Sequence, residues 1–148
     1  MPKIPLSTPA PSAVPGLPTG ARKLDIIETV MQYTPITAEP TMPGAVRMIP
    51  ATGQIVKAKA DTAENARVYG LATRKTPSRT PNTTIRQGVV GGYNLADVPF
   101  DAKVYLDNDG DLSTESGTVP VVIGRVIAIN AHLLGETPGK AIAVELVK

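Results

Sequence analysis

From residue 44 onwards the chain is built of short apolar runs separated by turn residues. "AVRMI" precedes Pro50, "QIVKAKA" follows Gly53, and "RVYGLATR", "TTIRQGVV", "AKVYLD", "VPVVIGRVIAI" and "KAIAVELV" come after them. These runs are short, rich in β-branched residues and bounded by Gly, Pro, Asn or Asp, which reads as strand. Strands recurring at intervals of roughly ten residues are the pattern of a β-sandwich or barrel. In "TTIRQGVV" the apolar character breaks at Gln87 and Gly88 follows, so this strand is expected at a sheet edge or bent at the glycine. "ARKLDIIETVMQY", residues 21–33, fits two periods: Leu24, Ile27 and Met31 have helical spacing, whereas Ile26, Ile27, Val30 and Tyr33 suit a strand. The extended form is preferred there. "AHLLGE", residues 131–136, is expected to form a helical turn or a loop before the final strand.

The beginning of the chain has a different pattern. "MPKIPLSTPAPSAVPGLPTG" carries Pro2, Pro5, Pro9, Pro11, Pro15 and Pro18. Each proline ring removes an amide donor and fixes φ, so the segment suits neither a helix nor an inner strand. Ile4, Leu6, Val14 and Leu17 are spaced along this extended track. Two roles are open: a disordered tail, or an arm that lies on a partner surface. The division expected is an extended Pro-rich arm over residues 1–24 and a β domain over 25–148, with the domain still folding when residues 2–20 are removed.

Composition narrows the picture. With 148 residues and 42% apolar side chains, one domain with a real core is expected. Phe100 is the sole Phe and Trp is absent, so that core must come from Val, Ile, Leu and Ala. The absence of cysteine removes disulfides, thiolate metal sites and cysteine nucleophiles. Fifteen basic residues against thirteen acidic ones leave a net charge of +2, which is no nucleic-acid footprint. No apolar run approaches a membrane span and no charged-then-apolar leader opens the chain, so it is expected to act in the cytoplasm or in something assembled there.

Candidate chemistry is sparse. "DAKVYLDNDGDLST" places Asp107, Asp109 and Asp111 at alternate positions beside Gly110, as a calcium loop begins. An EF-hand needs glycine at its sixth position and glutamate at its twelfth. Counting from Asp107 puts Leu112 and Thr118 there, and counting back from Gly110 makes Tyr105 the first ligand, so neither register works. Asn108-Asp109-Gly110 instead reads as the turn of a hairpin between Val104-Tyr105-Leu106 and Leu112-Ser113-Thr114, with no metal needed. His132 is the only histidine; Glu136 alone cannot complete a zinc site with it, and no nucleophile elbow marks a serine partner. Gly91-Gly92 lacks the helix start and lysine of a phosphate loop and reads as a bulge or turn. A carbohydrate-binding β domain is a rival reading, as is an OB-like single-strand nucleic-acid binder, but the aromatic platforms that grip sugars are nearly absent. Arg74, Lys75, Arg79 and Arg86 lie in and just beyond a Pro-containing loop, read as solvated or as a polar contact to a protein; a single-strand nucleic-acid site would need stacking aromatics, and Tyr69 alone is near. No catalytic residue, cofactor or metal is expected, and neither membrane nor nucleic acid is an expected partner.

In order along the chain, "PGAVRMIPATGQIVKAKADTAENARVYGLATRKTP" and then "DAKVYLDNDGDLST", "VVIGRVIAI" and "AVELV" resemble the layout of bacteriophage capsid decoration proteins, also called cement or head-stabilising proteins. The likeness spans roughly residues 43 to 148 and rests on layout and a few glycines. It implies an all-β chain with a small β-barrel or β-tulip-like domain. It also implies a homotrimer on the outer surface of an icosahedral head, in the virion, bound to the major capsid protein. In that setting Ile4, Leu6, Val14 and Leu17 are the expected capsid contacts. A closed trimer would also cover unpaired strand edges. The long Pro-rich start departs from the family's shorter arms.

Overall fold

Alternating aliphatic residues build the sheet that carries everything else. In the computed structural model, which describes residues 3–7, 23–129 and 138–146, the strands are β1 (Lys3–Ile4), β2 (Asp25–Tyr33), β3 (Gly44–Met48), β4 (Ile55–Lys57), β5 (Val68–Ala72), β6 (Thr84–Gly91), β7 (Lys103–Leu106), β8 (Leu112–Ser113), β9 (Val122–Ile129) and β10 (Gly139–Glu145). They form one sheet in the order β1-β8-β7-β9-β10-β6-β5-β3-β4, with β2 pairing β6 off that path. Every strand pair is antiparallel. The protein is all-β, and the sheet curls into a half-barrel. Each apolar run read from the sequence after residue 44 supplies one of these strands, and residues 25–33 are extended as preferred.

The core is aliphatic, as the composition requires. Ile55, Leu71, Ile85, Leu106, Ile123 and Ile142 are fully buried, while Phe100 stays exposed. In β10 the buried Ile142 and Val144 alternate with half-buried Ala143, the period-two signature of a strand with one face on a core.

Of the two expectations for β6, an edge position or a bend at Gly88, the first is corrected. β6 is not an edge strand but the most heavily paired one: β5 meets its start (Leu71↔Ile85), β10 meets its end (Ile142↔Val90), and β2 runs along it from Asp25↔Gly91 to Tyr33↔Thr84. β2 follows only through three register shifts, which localise around Thr29↔Gly88. A side chain at Gly88 would collide with the carbonyl oxygen of Glu28, so the glycine marks a close backbone crossing.

The loop between β5 and β6 is held by buried polar residues. Asn82 Nδ2 donates to the Arg74 carbonyl at 2.8 Å and to Thr76 Oγ1 at 3.0 Å, and Thr37 Oγ1 donates to the Pro77 carbonyl at 2.9 Å. Thr37 and Asn82 are both fully buried, and these bonds replace the water that the Thr37 hydroxyl and the Asn82 amide nitrogen give up, while Asn82 Oδ1 has no partner among the described residues.

The boundary drawn between residues 24 and 25 does not divide the fold. Lys3–Ile4 is a strand of the sheet, and Ile4 and Leu24 both belong to the main core.

Candidate functional site

Three places were marked by the sequence or stand out on the surface: the Asp-rich hairpin, the basic loop and the first strands. The hairpin is present as expected, with Tyr105 opposite Ser113 and Leu106 opposite Leu112. Asp107 organises its turn: Oδ1 accepts from the amides of Asp109 and Asp111, both at 2.9 Å. Gly110 adopts φ +87°, and a Cβ there would also press on the Ala58 carbonyl oxygen at 2.5 Å, so glycine is required on two counts.

The three carboxylates do converge, with one oxygen of each within 4.8 Å of the others. They converge on an internal cation. Lys3 Nζ lies 3.1 Å from Asp107, 2.9 Å from Asp109 and 2.7 Å from Asp111. The pairing of β1 with β8, Lys3 opposite Ser113, delivers the ammonium to the mouth of the turn. Hydrogen bonding to Asp111, then Asp109, then Asp107 pushes the Lys3 pKa up, and the hydrogen bond from Lys3 holds Asp109 below the usual carboxylate range. The arrangement is an ionic latch that fastens the start of the chain to a hairpin more than 100 residues away. No sequence signal singles out Lys3, because nothing local ties a lysine between two prolines to a distant turn.

The expected contact residues separate into two groups. Ile4 is 2% exposed and sits in the chain's own core, so its assignment to a capsid contact is corrected: that side chain has no surface to offer. Leu6 is half-buried, bridges Tyr93 and packs against the same core. Val14, Leu17 and His132 lie outside the described residues.

The basic residues are not one track. Arg74, Lys75 and Arg79 are exposed on the fastened loop. Arg86 belongs to β6, donates from Nε to the Tyr69 carbonyl at 2.8 Å and lies over the Tyr69 ring at 4.7 Å. There it joins Arg47 and Arg67 at a cleft of about 460 Å³. Sequence reasoning missed that grouping, because Arg47 and Arg67 meet Arg86 only through the β3-β5-β6 pairing. Gly92, φ +102°, is a crossing point, where a Cβ would stand 3.2 Å from Leu24 Cα.

Among the described residues the most exposed apolar surface is on β2. Ile26, Ile27, Val30 and Tyr33 are 43%, 47%, 61% and 51% exposed, and no residue of the strand is buried. A strand with no buried residue on either face is unusual, since strands are ordinarily held by at least one covered face. Set against models of protein families, curated proteins and solved structures, the chain matches none of them.

Proposed function

We propose that this chain is a structural decoration protein of a bacteriophage head. It binds the major capsid protein on the outer surface of the shell and stabilises it by bridging subunits, without catalysis. The observation that carries this reading is the agreement between layout and fold. Residues 43 to 148, whose order of strands, turns and glycines resembles cement proteins, supply β3 to β10 of one curled antiparallel sheet. The acidic hairpin within that stretch fits the same reading, since its carboxylates are engaged by Lys3 in holding the fold together. The chain is made in the host cytoplasm and meets its partner on assembled heads.

Binding only the assembled shell stabilises it by linkage. Purified chain mixed with expanded, undecorated heads is expected to sediment with them at a saturable stoichiometry and to raise the temperature at which they rupture. Heads that pellet without the chain, or rupture at the same temperature with it bound, would end this reading. A labelled single-stranded oligonucleotide at two salt concentrations tests the other class: binding that weakens steeply with salt would move the function to the arginine cleft.

A further inference from the structure

An open sheet has end strands, and this fold treats its three differently. The outer side of β4 is covered by residues 36–38, through Ile55 N to the Ile36 carbonyl at 2.9 Å and Ala38 N to the Ile55 carbonyl at 3.0 Å. β1 is two residues long, and its continuation is fastened through Ser7 N to the Gly92 carbonyl at 2.7 Å and Asn94 N to the Pro5 carbonyl at 2.8 Å. β2 is nine residues long, pairs only β6, and presents its other edge with no strand against it among the described residues. Proteins ordinarily blunt such an edge, because its free amides and carbonyls template further pairing. Bulges and the charges of Asp25 and Glu28 restrict which strand fits here, yet they leave four large apolar side chains in water.

We propose that β2 pairs, antiparallel and about a twofold axis near Thr29, with β2 of a second copy of this chain. The occupant follows from the edges. Among the described residues a second copy has no other long free edge to offer, so a strand-to-strand contact between copies brings β2 to β2. The sequence suits itself in that register. Thr29 faces Thr29, Ile27 faces Met31, Glu28 faces Val30 and Asp25 faces Tyr33, so no like charges stand directly opposite. A register one step towards the N-terminus about Glu28 would set that carboxylate against its own copy. Three strands with one free edge each cannot close a ring edge to edge, so this contact gives dimers, not the threefold ring expected from the sequence. Nine paired residues span about 30 Å, less interface than permanent dimers use, so the dimer is expected to dissociate on dilution. This inference is independent of the capsid reading.

The test needs only the purified chain. Sedimentation over a range of concentrations should show a monomer–dimer equilibrium. The chain has no cysteine, so Thr29→Cys introduces a unique thiol, and opposed Cβ atoms on the axis lie close enough for an intermolecular disulfide under mild oxidation. The same thiol at Ser116, an exposed loop position, is the control. Register is read by opposite charges at one site. Val30→Asp sets carboxylates against Glu28 on both sides of the axis and should weaken the dimer about tenfold, while Val30→Lys pairs with Glu28 and should keep or strengthen it. A monomer at all concentrations, a trimer without the Thr29→Cys disulfide, or equal loss from both Val30 variants would overturn the proposal. So would protection from exchange, in the dilute monomer, of the β2 amides that face away from β6, since the chain itself would then cover the edge.

Discussion

β1 and β2 are opposites in a single sheet. β1 has two residues, yet it places Ile4 in the core, pairs with β8 and is fastened by an ammonium among three carboxylates. β2 has nine residues, yet among the described residues it pairs only β6 and none of its residues is buried. Length does not decide how firmly a strand is held. The buried apolar area and the electrostatic partners set the two apart: β1 is a structural anchor and β2 an exposed strand.

The sharpest way to break that contrast is to remove the anchor's side chain. Ile4→Ala deletes a fully packed aliphatic group and is expected to destabilise the chain by about 2–4 kcal/mol, read as a lower denaturant midpoint at unchanged slope. Removing residues 2–20 should do at least as much, which reverses the expectation that the domain tolerates their loss. An unchanged midpoint would return residues 3–7 to the status of a tail.

Next comes the turn on which the anchor is latched. Gly110→Ala forces a side chain into a left-handed conformation and against Ala58, and should cost about 1–3 kcal/mol. Thermal melting with calcium or a chelator should give the same midpoint for the parent chain, because Lys3 already supplies the positive charge among the carboxylates. A midpoint that falls with chelator and returns with calcium would show a second cation there.

The contrast also explains what was legible in the sequence. Strands β3 to β10 were readable because their apolar runs and turn residues are local signals, and Asn108-Asp109-Gly110 states its own hairpin. β1 was illegible: Pro2 and Pro5 argue against a strand, and what holds residues 3 and 4 in place lies in β8 and the 107–111 turn. Gln87 and Gly88 misled towards an edge because sequence shows what a strand contains and not what flanks it; the neighbours β2, β5 and β10 come from three distant parts of the chain. The meeting of Arg47 and Arg67 with Arg86 was hidden for the same reason.

A smaller effect is expected from the latch itself. A carboxylate held low in the folded chain, as Asp109 is, adds stability above its unfolded pKa and loses it as pH falls through the folded value. A lysine held high, as Lys3 is, adds stability below its ordinary pKa and loses it only in strong alkali. The latch is therefore constant through the neutral range and opens on the acid side, below about pH 4. The urea midpoint of Lys3→Met should lie below that of the parent near pH 7, and the gap should close as pH drops through that range. A gap that persists in acid would mean that Lys3 acts through its aliphatic stem and not its charge.

The smallest expected effect is the most diagnostic for β2. In the single chain Val30 is 61% exposed and touches no core, so Val30→Thr removes little buried area while keeping the β-branch that suits a strand. Its unfolding free energy should stay within about 0.5 kcal/mol of the parent, the range of ordinary surface substitutions. The equivalent change in the anchor's surroundings, Val104→Thr, puts a hydroxyl into a fully buried site and should be felt strongly. Running both variants at a concentration where the parent is monomeric separates fold from contact: β2 is a contact strand only if Val30→Thr is silent there. A loss of 2 kcal/mol or more would mean, by the scale of buried aliphatic truncations, that β2 is packed by its own chain, and the division between anchor and surface strand would fall with it.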